Sequence, residues 1–203
     1  MTNKEEIIRQ TALAFDFIQK LYLEVSYLIK EIEGTLGEEE EKFVIGKPSG
    51  YGISTRSSTG LEANNVPLWL LKKFAVFFVP EEKTKPGERG QTITELGDDL
   101  RVLYLRIMLN DKHIDEPIIY SGVLYNINKK PQVKGFNKFE NIMGHIEYND
   151  DKVFKDPENI DYNDVYISFQ GKLIKNNLYD INDSQTLYDK IIKPSLELYR
   201  KLG

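Results

Sequence analysis

The sequence contains no cysteine, and this absence excludes several kinds of site. Without thiols the chain forms no disulfide, no structural cysteine–zinc site and no iron–sulfur cluster, and it has no thiolate nucleophile. Histidine is nearly as scarce, with two residues among 203. Any site that needs an imidazole must therefore use His113 or His145.

Long apolar runs and an excess of basic residues are also missing. The longest apolar stretches, 66–71 and 74–79, are separated by two lysines and fall short of the roughly 20 residues that cross a bilayer. The formal net charge of −5 disfavours unspecific binding to phosphate backbones. The first residues lack the basic start, apolar stretch and cleavage site of a signal peptide. We therefore expect a cytoplasmic protein without a membrane partner.

The residues that are present favour one folded α+β domain. Hydrophobic residues make up 40% of the chain and charged residues 29%, and 203 residues lie within single-domain size. We expect a single domain over 1–203. It comprises an N-terminal helix at 2–33, a β-rich middle at 43–174 and a C-terminal helix at 183–202.

The first 33 residues have the periodicity of one long amphipathic helix. Thr2 and Glu5 fit a capping box at its start, and Gly34 is expected to end it. Two interleaved rows of mainly apolar residues repeat every seven positions, and a third row beside them widens the apolar face. The rows are Ile7, Ala14, Leu21 and Leu28; Thr11, Ile18, Val25 and Ile32; and Ile8, Phe15, Tyr22 and Ile29. The pattern favours packing against the protein's own sheet, and the alternative is a helix shared with a partner.

The middle of the chain has the periodicity of strands and predicts a mainly antiparallel sheet of about five to seven strands. Residues 100–109 are apolar on both faces, which indicates a central strand, and the short turn after them predicts an antiparallel hairpin. The predicted strands are 43–46, 50–58, 73–79, 100–109, 117–127, 142–148 and 164–174. Exposed loops are expected at 81–97 and 150–163.

The C-terminal helix contains one residue that disturbs a helix. Its apolar face is formed by Leu187, Ile191, Leu198 and Leu202, and it is expected to begin near Asp183 or Ser184. Pro194 lacks a backbone N–H and clashes with the preceding turn. We therefore expect a kink or a break at this residue.

His145 and Glu147 are the candidate catalytic residues. If 142–148 is a strand, its alternation places both side chains on one face, where they are suited to an acid–base pair or to metal binding. Any half-exposed strand gives the same pattern, and one His-x-Glu supplies too few ligands for a zinc site. His113 lies in a polar turn and is expected to be solvated.

The segment 50–60 is rich in glycine and hydroxyl residues and contains one arginine. Such residues form anion cradles from backbone N–H groups and a bidentate guanidinium. The candidate anion-binding residues are Arg56, Ser57, Ser58 and Thr59. Neither P-loop spacing nor Gly-x-Gly-x-x-Gly is present, and an exposed edge strand gives a similar composition.

One short stretch combines basic and aromatic residues. Its lysines are Lys129, Lys130, Lys134 and Lys138, with Phe136 and Phe139 between and beside them. Charge and stacking together can bind nucleic acid. A lysine-protected loop beside a sheet edge is the alternative.

No motif converges on a reactive group, whereas two long apolar helices are available to bury surface. The sequence therefore predicts a non-catalytic protein-interaction module, a subunit of a cytoplasmic assembly that binds a protein partner or itself through helices. One alternative is a metal-dependent hydrolase or nuclease using His145, Glu147 and nearby carboxylates. Another is a binder of small anions or nucleotides through 50–60. None of these patterns identifies a cofactor.

Overall fold

A computed structural model of the chain describes residues 4–45, 52–53, 71–87, 90–93, 100–111, 113–130 and 139–202. The predicted α+β class is confirmed. The helices are α1 (Lys4–Glu38), α2 (Phe139–Tyr148), α3 (Asp150–Val153), α4 (Ser184–Leu187) and α5 (Lys193–Lys201). The strands are β1 (Phe43–Ile45), β2 (Gly52–Ile53), β3 (Lys73–Pro80), β4 (Thr84–Gly87), β5 (Gly90–Ile93), β6 (Val102–Met108), β7 (Ile118–Lys129), β8 (Ile160–Asn163) and β9 (Ile167–Asn177). Within these ranges, no helix has the length and apolar character to cross a membrane.

The main sheet is antiparallel between all the strand pairs that the structure describes. Its strand order is β1, β3, β6, β7, β9, β8, with β2 also paired to β3. β6 lies between β3 and β7, and its residues are buried from Val102 to Ile107, so the predicted central strand is confirmed. The predicted hairpin is confirmed as well, because β6 pairs antiparallel with β7.

Two apolar cores cover the opposite faces of the sheet. The first packs the C-terminal half of α1, α4 and α5 against residues such as Leu105. The second packs α2, α3 and β8 against residues such as Tyr104. Successive strand residues point to opposite faces, so neighbouring positions of β6 belong to different cores.

Helix α1 is longer at its C-terminal end than predicted. It continues through Gly34 and Gly37 to Glu38. Leu36 is 3% exposed in the first core, and burial of such a side chain contributes about 1.5 to 3 kcal/mol. That gain exceeds the cost of about 1 kcal/mol for a helical glycine. The predicted capping box depends on Thr2 and the Glu5 side chain, which lie outside the described part of the chain.

The predicted strand at 142–148 is wrong, because these residues belong to α2. Ile142, Met143 and Ile146 are buried and lie on one side of the helix, with the i, i+4 spacing that a helix gives. A window of seven residues that also contains His145 and Glu147 is too short to separate the strand period from the helix period.

Both predicted loops contain regular structure. The range 81–97 includes a short 3₁₀ turn at Glu81–Lys83 and the separate hairpin of β4 and β5. The range 150–163 includes α3 and the edge strand β8, whose Ile160 and Tyr162 alternate with exposed residues. The β-rich middle therefore contains two helices, and its last strand extends to Asn177. Of the predicted strand 50–58, the structure describes only β2.

The C-terminal helix begins where the sequence predicts. Asp183 caps it by accepting from the Thr186 backbone N–H, and the reciprocal bond completes a capping box. The α-helical pattern then changes to a π-helical segment, Tyr188–Ile192, which ends two residues before Pro194. The predicted disturbance at Pro194 thus takes the form of a π-helical turn, and the chain stays helical through it.

Candidate functional site

The helical conformation of α2 separates the two residues that were predicted to act together. Positions two apart on a helix do not face each other. His145 Nε2 lies 2.7 Å from Asp164 Oδ2, whereas Glu147 Oε2 accepts a hydrogen bond of 2.8 Å from Arg106. The shared face predicted for His145 and Glu147 is therefore wrong, and each residue belongs to a different polar cluster.

The first cluster centres on Arg106, which β6 places in the middle of the sheet with 2% exposure. Its Nη1 donates to Glu147 Oε2 and, at 3.2 Å, to the Tyr104 hydroxyl. Its Nη2 donates to Asp150 Oδ2 at 2.7 Å, and its guanidinium lies 4.4 Å from the Phe154 ring centroid. The guanidinium therefore joins the central strand to α2 and α3.

A second cation continues this cluster toward the surface. Lys73 Nζ lies 3.0 Å from Asp150 Oδ2 and 2.9 Å from Asp111 Oδ2. Burial by itself raises the pKa of Asp150, but Lys73 and Arg106 together hold that pKa below its usual range. At Glu147 the effect of burial is larger than that of Arg106, so the pKa of this carboxyl is raised above its usual range. All five charged side chains of this cluster have a partner of opposite charge within it.

The second cluster centres on the carboxylate of Asp164. Its Oδ1 accepts from the backbone N–H groups of Tyr166 and Ile167, at 2.8 Å each. Its Oδ2 contacts His145 Nε2 and accepts from the Tyr162 hydroxyl at 2.9 Å. Burial raises the pKa of Asp164, but the hydrogen bonds from Ile167, His145, Tyr166 and Tyr162 lower it to about 2. The cluster thus fastens the turn between β8 and β9 to α2.

Neither cluster provides a metal centre. In the part of the chain that the structure describes, no three His, Asp or Glu side chains form a group that could hold a metal ion. His145 and Asp164 do form an oriented imidazole–carboxylate pair, which is one component of acid–base catalysis. The groups close to this imidazole include Asn149 Nδ2, at 3.4 Å, and the Tyr162 and Tyr166 rings. An amide and two phenol rings are suited to holding the imidazole in place.

The predicted anion site and most of the basic patch cannot be placed. Arg56, Ser57, Ser58 and Thr59 lie outside the described residues, as do Lys134 and Lys138. Lys129 ends β7, and the Lys130 backbone N–H donates to the Tyr166 carbonyl at 2.9 Å. Anion and nucleic-acid binding therefore stay predictions.

The most unusual surface of the described chain is the N-terminal part of α1, residues 4–20, which we call the arm. Every residue from 7 to 17 is exposed. The large apolar side chains among them are Ile7 (49% exposed), Ile8 (58%), Leu13 (55%), Phe15 (62%) and Phe17 (65%). At 1.5 Å per residue the arm is about 25 Å long. It is an extended apolar helical surface in contact with water.

The arm has a broad apolar side and a narrow polar side. Successive residues turn by about 100°, so its large apolar side chains spread over roughly 220° of the helix circumference, with polar residues such as Glu6 and Gln10 between them. The polar side carries two ion pairs within the helix, Arg9–Glu6 at 2.8 Å and Lys20–Asp16 at 2.7 Å. A helix that is apolar over so wide an arc is normally enclosed by other elements.

The arm joins the domain at Tyr22. The Tyr22 hydroxyl donates to the Leu71 carbonyl at 2.9 Å, and its ring packs edge-on against Phe74. A groove of about 490 Å³ begins at this junction, between α1 and the chain from Leu178 to Leu187. Its walls include Leu21, Tyr27, Leu28, Tyr179 and Ile181. The apolar surface of the arm is therefore continuous with an open groove on the body of the domain.

Helix length is the signal by which the arm could have been found from the sequence. A helix of 35 residues is about 52 Å long, whereas a small domain is about 30 Å across. The apolar rows from Ile7 to Ile32 therefore run further than one sheet can cover.

Comparison with protein-family models, with curated proteins and with solved structures finds no match for this chain.

Proposed function

We propose that the protein is a non-catalytic interaction module that joins a larger assembly through the arm. The observation that carries this proposal is the exposure of Phe15 and Phe17, 62% and 65%, on a helix whose other half lies in the core. Burying one large apolar side chain contributes about 1.5 to 3 kcal/mol. A partner that covers even half of the exposed apolar side chains of the arm would therefore gain several kcal/mol of binding free energy. Contiguous apolar patches of this kind are typical of binding sites.

The chemistry of the arm favours a helical protein surface as its partner. Helices that lie on membranes carry an excess of Lys and Arg on their polar side. Here Arg9 and Lys20 are balanced by Glu6 and Asp16 within the helix. The same balance disfavours phosphate backbones, which attract clustered cations. Apolar residues at heptad spacing suit docking against another apolar helix.

The polar clusters support a non-catalytic role. Arg106 and Glu147 are buried and paired with each other, and buried ion pairs fix the position of structural elements more often than they react. Asp164 is held by four hydrogen bonds, which suits a structural joint between α2 and the turn before β9. The alternative use of His145 and Glu147 in one hydrolytic site loses its geometric basis, since they have different partners.

Photo-crosslinking in the cells that make the protein tests this proposal. A photoreactive residue at position 15, on the arm, should give one defined protein adduct, identified by mass spectrometry. The adduct should disappear when Phe17→Asp is added, because the charge opposes burial of the arm. A photoreactive residue at position 161, an exposed site on β8, is the matched control. No adduct at position 15, or the same adducts at both positions, would overturn the proposal.

A further inference from the structure

We infer that the partner of the arm is the arm of a second copy of this chain, paired antiparallel; this inference rests on the function proposed above. The first reason is length. The stretch of α1 that is exposed all round ends near Tyr22, where one side of the helix enters the core, while Leu23 and Tyr27 on the other side stay 48% and 59% exposed. In an antiparallel pair that places Lys4 beside the partner's Leu21, the two free stretches match along their whole length. The two domains then lie at opposite ends of the pair and do not collide.

The heptad positions support the same register. Antiparallel helices alternate the two rows of their seam, which sets Ile7 against the partner's Ile18 and Thr11 against the partner's Ala14. Thr11 and Ala14 are small and lie at the centre, so the helices can approach closely there. Ile8 and the partner's Phe15 then meet on one flank of the seam. The seam and its two flanks together use the large apolar side chains of the arm except Leu13, which lies on the far side of the helix.

A parallel pair uses the surface less well. It aligns each arm with the same residues of the other, so both domains come side by side where Val25 enters the core, and Val25 is already 3% exposed. Space therefore favours the antiparallel arrangement.

The exposed area is sufficient for a dimer. Four large exposed side chains of the arm face the seam or its flanks, Ile7, Ile8, Phe15 and Phe17. With the smaller areas of Ala14 and Ile18 they offer roughly 600 Å² for each copy and about 1,200 Å² for the pair. Stable protein interfaces bury about 1,200 to 2,000 Å² in total, so two arms supply an interface at the lower end of this range.

Light scattering after gel filtration measures the association directly. The purified full chain should have twice the 23.5 kDa mass of one copy. Phe15→Asp should reduce the mass to that of a monomer at the same concentration. The matched control is Val165→Asp, which changes an equally exposed apolar residue (68%) outside the arm and should leave the dimer intact. A dimer that survives Phe15→Asp, or is lost in Val165→Asp, would contradict an interface through the arm.

Engineered cysteines test the direction of pairing, since the chain has no cysteine of its own. Ile7→Cys and Ile18→Cys are made in separate chains of different tag length and then mixed and oxidised. The antiparallel register predicts a disulfide between position 7 of one copy and position 18 of the other, and none in either variant alone. The two positions are about 16 Å apart along a helix, so a parallel pair would give only 7–7 and 18–18 links.

The possible results separate this inference from the proposed function. Links between 7 and 18 support the antiparallel dimer, and links between identical positions overturn it. A full chain that stays monomeric up to the highest soluble concentration also overturns self-association. The adduct at position 15 would then identify a different helical protein, and the proposed function would stand. If both the adduct and the dimer are absent, both ideas fail.

Discussion

Phe15 and Ile29 lie on the same row of α1, two heptads apart, yet Phe15 is 62% exposed and Ile29 is 2% exposed. One continuous apolar stripe thus serves two purposes along a single helix. Near Ile29 it fills the first core, and near Phe15 it faces water. The change occurs around Tyr22, where the side chain bonds to the Leu71 carbonyl.

We expect two truncations of α1 to have opposite results. A chain that begins at residue 21 should fold and melt cooperatively, because it loses the exposed arm and keeps Tyr22. A chain that begins at residue 34 should be insoluble or molten, because it loses Val25, Ile29 and Ile32 from the core. At about 1.5 to 3 kcal/mol for each buried side chain, that loss is comparable with a domain's total stability of about 5 to 15 kcal/mol.

Circular dichroism and calorimetry of the two fragments provide the measurement. Both chains lack the same 20 N-terminal residues and differ only in residues 21–33, so the shorter truncation is the control for the longer one. A cooperative transition in the fragment from residue 34 would contradict the structural role given to the second half of α1. Loss of folding in the fragment from residue 21 would show that the arm contributes to the core.

The heptad rows of α1 show what a sequence can and cannot predict here. Ile18, Val25 and Ile32 repeat every seven residues, so a long helix was predicted correctly from them. Whether a given apolar residue is covered depends on where the sheet ends, and local spacing carries no information about that. The long-range contact of Tyr22 with the chain near Leu71, 49 residues away, decides it.

The buried pair of Arg106 and Glu147 predicts a large cost for removing one partner. Arg106→Met should lower the free energy of unfolding by about 3 to 5 kcal/mol, since Glu147 and Asp150 would lose their buried cation. Arg106→Met combined with Glu147→Leu should recover part of this loss. Urea unfolding at pH 7 measures both effects, and the ion-pair account is refuted if the double variant is less stable than Arg106→Met.

A surface arginine provides the matched control for that substitution. Arg200 is 55% exposed and lies 3.5 Å from Glu39, on the other side of the sheet. Exposed ion pairs contribute about 0 to 1 kcal/mol. Arg200→Met should therefore change stability by less than about 1 kcal/mol, although it is the same chemical change. If Arg200→Met lowers the free energy of unfolding as much as Arg106→Met does, then the burial of Arg106 is not the reason for its large effect.

We expect the low pKa of Asp164 to make the stability of the fold depend on pH in acid. Its folded-state pKa of about 2 lies below the usual 3.8, so the native state holds the carboxylate ionised more strongly than the unfolded state does. The resulting stabilisation is present above about pH 4 and is lost as the pH falls through about 2. Asp164→Asn should lower stability at pH 7 by about 1 to 2 kcal/mol and should reduce the loss of stability between pH 4 and pH 2.

Thermal melts from pH 2 to pH 7 measure this response. Asp161→Asn removes an exposed carboxylate three residues away and is the control. It should leave the acid-dependent loss of stability unchanged. If Asp164→Asn and the unmodified protein lose stability in parallel between pH 4 and pH 2, the carboxylate is not responsible.

The same region explains why 142–148 was mispredicted as a strand with His145 and Glu147 on one face. His145 and Glu147 are two apart in a stretch where Ile146 is buried, and this satisfies both strand and helix periods. The helix is selected by Glu147 reaching Arg106, 41 residues away, and by His145 reaching Asp164, 19 residues away. Both partners depend on the strand order of the sheet, which the spacing of α2 does not encode.

The π-helical turn before Pro194 leaves one backbone carbonyl that a side chain can bind. In a regular α-helix residue 194 would donate its N–H to the Lys190 carbonyl, and proline has no N–H to donate. The Asn176 side chain donates to that carbonyl at 3.2 Å from the end of β9. Asn176→Ala should therefore cost about 1 kcal/mol. In the Pro194→Ala background the cost should fall, because this substitution restores a backbone donor.

Urea unfolding of the unmodified protein, the two single variants and the double variant measures how far the effects of Asn176→Ala and Pro194→Ala depend on each other. The control is Asn163→Ala, which removes an exposed asparagine side chain on β8 and should cost the same with proline and with alanine at position 194. Equal costs of Asn176→Ala with proline and with alanine at position 194 would show that this side chain does not compensate for the missing N–H.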